Sequence, residues 1–199
     1  METVCRGSVS PAFAFLPPLE VYMPAYLLLA FALLSRLLPH AGWLNFTAVG
    51  GTLLYFGARR NWREMLAPLA AFMAADYFLT VFSYHYDFRW TDYITTWVWY
   101  AAVMLLGRIL LSSRTTWLRA GSAALLGPTS FFVVSNYAYW ATGMQYPRTM
   151  PGLATCYIAG IPFYRNDLIS TAIVVAAAFG LPVLVRRMQH ADTAIAATR

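Results

Sequence analysis

Residues 120–141 read AGSAALLGPTSFFVVSNYAYWA, and this run decides the fold. It holds no charged residue, and the uncharged stretch continues to Pro147. As a helix, these 22 residues rise about 33 Å, enough for a hydrocarbon core of roughly 30 Å. Working outward, residues 93–107 and 168–185 also lack charge. Across the chain 11% of residues are charged, 60% hydrophobic and 17% aromatic. Soluble domains carry about 25% charged residues, so the solvent implied here is a bilayer.

The same reading gives an all-α membrane protein, one integral domain over 1–199. Six spans are expected at about 21–38, 43–58, 65–83, 93–111, 120–141 and 167–185. The second span is short and contains Gly50-Gly51, so it is expected to bend or to sit deep in protein. Residues 152–164 are apolar but too few to cross; Pro162 lies near their end, and Arg165 and Asn166 follow. They are expected to form an extra half-helix on the outer side, broken before the last span. Residues 1–20 are mixed, with Pro11, Pro17 and Pro18. They do not read as a signal peptide, and Phe13, Phe15 and Leu16 are placed to lie on the membrane surface.

Every basic residue is Arg, and the net charge is +6. Arg59, Arg60, Arg63, Arg114, Arg119, Arg186, Arg187 and Arg199 lie on one set of connections and the tail, with Arg6 at the start. Arg89, Arg148 and Arg165 lie on the opposite set, offset by Asp87, Asp92 and Asp167. Basic residues concentrate in cytoplasmic loops, so both termini are expected in the cytoplasm. That pattern accounts for the charge without nucleic acid, whose recognition needs a basic face on a soluble fold.

Catalytic patterns are missing. There is no HExxH, GxSxG, phosphate-binding loop or dinucleotide turn. His40, His85 and His190 are scattered, Cys5 and Cys156 have no metal or redox spacing, and no cofactor is implied. Membrane lipid is the expected surrounding, and without a nucleotide site the chain cannot drive uphill transport with ATP by itself. Two ridges of small residues, Ala67-Ala71-Ala75 and Ala172-Ala176-Gly180, suit close helix packing, within the chain or against another membrane subunit.

Asp76 lies near the middle of the third span. A carboxylate at that depth marks a function or a buried partner. Arg36, toward the outer half of the first span, is the expected partner; Arg108 lies too near the inner end. The outer third also carries Asn45, Asn136, Trp140, Arg148, Arg165 and Asn166. Asn136 sits about five residues inside a helix end and is not an interface-belt residue. These six are expected to line one outward cavity, with Arg36 and Asp76 as further solute-binding candidates. The Arg residues would make it electropositive, suiting an anionic solute.

Several motifs follow in order: R-L-L-P-H at 36–40, N-F-T-A-V-G-G at 45–51, A-A-D at 74–76 and L-L-G-R at 105–108. Then come S-N-Y at 135–137, Y-P-R-T at 146–149, C-Y at 156–157 and P-F-Y-R-N at 162–166. This order, over about 34–180, resembles an uncharacterised bacterial family of proposed transport proteins. That family in turn resembles the substrate-binding S components of energy-coupling factor transporters. The resemblance implies six helices, a micronutrient held in an outward pocket, and a partner module of one membrane coupling subunit with two ATPases. The chain departs from that pattern at Ala25, Ala30 and Ala32, which do not give the Ala-x-x-x-Ala docking spacing, and at Thr171, where an acidic residue is expected. The resulting reading is a solute-binding transport protein, not an enzyme. Its competitor is a small structural or assembly subunit of a membrane complex without a solute pocket.

Overall fold

The computed structural model describes residues 19–38, 46–143 and 145–197. These residues are helical throughout, apart from short connections, and no strand occurs among them. The helices are α1 (Leu19–Leu37), α2 (Val49–Arg59), α3 (Leu66–Phe78), α4 (Trp90–Leu111), α5 (Trp117–Thr142) and α6 (Met150–Ala197). A 3-10 turn at Trp62–Met65 leads into α3, which widens into a π turn at Leu79–Ser83. The expectations for Phe13, Phe15, Leu16 and Asn45 fall outside the described residues.

Three segments are long and apolar enough to cross a membrane: Trp62–Ser83, Trp90–Leu111 and Met150–Gln189. α5 has the length, but Ser, Asn, Tyr and Gly dilute its apolar character. The outer faces leave Leu27, Phe31, Leu34, Ile109, Leu118 and Ile158 more than half exposed. A soluble monomer rarely exposes so much contiguous apolar surface; acyl chains would cover it without cost.

The second helix departs most from a simple span. Its 11 residues cover about 16 Å, short of the bilayer core. Nearly all of them are buried, and α1, α4, α5 and α6 pack around it. Glycine permits this. A Cβ on Gly57 would lie 1.9 Å from the Met104 carbonyl oxygen, and one on Gly107 would lie 2.2 Å from that of Leu54. α2 and α4 therefore meet backbone to backbone. On another side Gly50 and Gly51 admit Thr171 and Val174 of α6. Of the two expectations for this segment, burial in protein holds.

One further expectation is corrected. Residues 152–164 are not a separate half-helix; they are continuous with the last span in α6, 48 residues long. Pro162 removes one backbone donor, but a helix tolerates that where neighbouring groups cover the gap, and Arg165 and Asn166 have no intrinsic helix-breaking chemistry. At about 72 Å, α6 is more than twice as long as the hydrocarbon core is thick. The small-residue ridges are also mostly turned outward: Ala67, Ala172 and Ala176 are exposed. Only Ala75 is buried, and Gly180 leaves room for the Trp117 ring, which a Cβ there would meet at 3.1 Å.

Candidate functional site

Asp76 is 1% exposed and lies between α1, α3 and α4. Arg36 donates to its Oδ1 from Nε at 2.9 Å and from Nη2 at 2.5 Å. Trp97 Nε1 donates to Oδ2 at 3.1 Å, and the Tyr100 hydroxyl lies 3.3 Å from Oδ2. Thr80, one turn on, donates to the Asp76 carbonyl at 2.7 Å and hydrogen-bonds the Tyr93 hydroxyl. Phe88, Tyr93 and Trp97 stack beside this network. The expected Arg36–Asp76 pair is present, and its carboxylate is saturated by donors from α1 and α4. Arg108 instead donates to the Arg60 carbonyl at 3.4 Å, on the Arg-rich face.

A separate cavity of about 1130 Å³ lies between the first turns of α4, the last half of α5 and the first half of α6. It opens on the face opposite Arg59, Arg60 and Arg119. α6 supplies one wall through a helical stripe: Cys156, Gly160, Phe163 and Asp167 recur at intervals of three and four, the period of one helix face. α5 supplies Phe132, Ser135 and Asn136, and α4 supplies Thr95 and Thr96. Asn136 is fixed by its own helix, Nδ2 donating to the Phe132 carbonyl at 2.8 Å. Gly160 leaves the space for it: a Cβ there would fall 2.6 Å from Asn136 Oδ1. Phe132 stacks on Tyr164 at 4.8 Å, and the Tyr164 and Thr129 hydroxyls meet at 2.9 Å, locking α5 to α6 below the opening.

Of the described residues expected to converge on one cavity, Asn136 alone lines this one. Trp140 turns to the α5–α6 connection, its Nε1 donating to the Pro147 carbonyl at 2.9 Å. Arg148 lies exposed on that same connection, and Arg165 is exposed on α6. Asn166 sits one residue from the lining stripe without joining it. Arg36 and Asp76 belong to the network of α1, α3 and α4. The electropositive cavity is therefore corrected: Arg36 is neutralised by Asp76, Arg148 lies exposed on the α5–α6 connection, and the uninterrupted α6 turns Arg165 off the lining face.

The charged groups of the lining are Arg89, Asp92 and Asp167. Arg89 and Asp92 are exposed at the start of α4, whereas Asp167 is 7% exposed. The sequence reading treated Asp167 only as an offset to nearby Arg residues. Its signal was the three-and-four spacing from Cys156, visible once 150–185 is taken as one helix.

A family model described as a family of unknown function, DUF6580, matches residues 19–193, and the chain belongs to that family. No curated protein and no solved structure matches.

Proposed function

We propose that this member of DUF6580 is a membrane protein that captures a small solute in the cavity between α4, α5 and α6. The supporting observation is the cavity itself, which reaches the half-buried amide of Asn136 and the buried carboxyl group of Asp167. Small-molecule sites occupy about 300–1,000 Å³ with a few placed polar groups in an apolar wall, and this open cavity, at about 1130 Å³, is slightly larger. A purely structural subunit has no use for such a void, because empty space forfeits dispersion contacts. With the Arg-rich connections on the cytoplasmic side of a bacterial inner membrane, both termini are inside and the cavity faces outward.

The likeness to S components supports a micronutrient as solute and an energising module, one membrane coupling subunit with ATPases, as partner. No catalytic role is proposed. The competing reading, an assembly subunit without a solute, has the exposed Ala172–Ala176 ridge in its favour. Native mass spectrometry of the purified chain in lipid nanodiscs separates the two. A small molecule released on activation, with occupancy reduced several-fold in Asn136→Ala at unchanged melting temperature, is the expected result. A stoichiometric membrane subunit with no small molecule favours assembly instead.

A further inference from the structure

One carboxyl group in the cavity has no basic partner. Asp167 is 7% exposed, and among the described residues no Arg or His lies within ion-pairing distance of it. Its Oδ1 accepts from Thr171 Oγ1 at 3.4 Å, a long and weak bond. The start of α2 lies close by, since a Cβ on Gly50 would be 3.6 Å from the same oxygen. A helix N-terminus carries about half a positive charge, which offsets a carboxylate only in part. An isolated buried carboxylate costs several kcal/mol unless something pairs with it. The remaining direction open to it is the cavity, whose lining it joins.

The rest of the lining suits the same occupant. Phe131, Phe132, Tyr139, Tyr146 and Phe163 are among the lining residues, and aromatic rings attract cations within about 6 Å. Arg89, the one basic lining residue, sits at the exposed rim. Among the described residues no three His, Cys, Asp or Glu side chains cluster in metal-ligating range, so a bare metal ion finds too few ligands.

Resting on the solute-binding reading above, we propose that the solute is an organic cation. Its protonated or quaternary nitrogen is held by Asp167, and its apolar part lies against the α5 and α6 aromatics. This reverses the anionic preference expected from the Arg residues.

The test uses the full chain in nanodiscs and a probe series of one shape: benzyltrimethylammonium, its uncharged analogue neopentylbenzene, and 3-phenylpropanoate. Thermal shift and tryptophan quenching should show saturable binding of the cation. The neutral probe should bind at least tenfold more weakly, and the carboxylate not at all. Asp167→Asn should lower cation affinity roughly ten- to a hundredfold, since a charge-assisted contact becomes a neutral one. Asp167→Glu, which keeps the charge, should retain binding. Should Asp167→Asn not fold, the probe series on the unaltered protein still decides the matter. Equal binding of cation and neutral probe, or preference for the carboxylate, overturns the cation assignment while leaving a solute site in place. No binding of any probe, with native mass spectrometry showing only lipid in the cavity, overturns both.

Discussion

Replacing Asp76 by Asn tests what a carboxylate at this depth is for. The two oxygens receive donors from opposite sides, Arg36 on Oδ1 and Trp97 with Tyr100 on Oδ2. An amide keeps one acceptor and supplies a donor in place of the other. In either orientation, therefore, an N–H faces an N–H or O–H, and Arg36 loses its counterion. Breaking a buried pair by removing one partner costs about 3–5 kcal/mol. The Arg36 side chain keeps 25% exposure, so water softens the loss, and about 3 kcal/mol is expected. For a domain near this size 1 kcal/mol moves the melting temperature by about 2–4 °C, giving a fall of roughly 6–12 °C. Thermal unfolding in detergent or nanodiscs reads it directly. Arg36→Gln should cost a similar amount. The double variant should cost clearly less than the sum, because the second change removes the charge stranded by the first. Solute occupancy per folded molecule should not change, since neither residue lines the cavity. A shift under 2 °C, additive losses in the double variant, or lost solute at full stability would refute the structural assignment.

Two other outcomes follow from the geometry. Gly107→Ala places a methyl group 2.2 Å from the Leu54 carbonyl, so α2 and α4 must part by more than about 1 Å. The expected loss is at least 1–3 kcal/mol by unfolding, against near neutrality for Gly121→Ala, where nothing lies within 4 Å. A reporter fused after Arg199 should be active only on the cytoplasmic side, and periplasmic activity would reverse the outward cavity.

The helices at 65–83, 93–111 and 120–141 were legible because apolar runs in a bilayer permit one regular structure, the helix, which satisfies its own backbone. The Arg36–Asp76 pair was legible for a related reason: the cost of a lone charge in hydrocarbon restricts its partners to a few candidates at matching depth. The α5–α6 wall was not. Pro162, Arg165 and Asn166 read as a break because proline and polar residues punctuate soluble chains. One missing donor does not end a helix whose neighbours hold it in place. Moving from a broken to a continuous helix rotates every following side chain, so Arg165 and Asn166 left the cavity and Asp167 entered it. Trp140 misled for another reason. Its indole found a nearby carbonyl at Pro147, a partner that residue type and depth do not reveal.

The two buried carboxylates show how such a site is recognised. Asp76 and Asp167 are about equally hidden, so burial alone does not separate them. Their donors do. Asp76 has a guanidinium, an indole and a phenol on its oxygens, a set that fills its lone pairs and joins three helices. Nothing further can bind there without displacing one of them. Asp167 has one long hydroxyl contact and a cavity. The helix face that carries it continues through Thr171 to the glycines of α2, which places the carboxyl group beside the start of that helix without a basic partner. Burial without a partner disfavours the charged form, and a cation entering the cavity from outside is the group that would offset that cost.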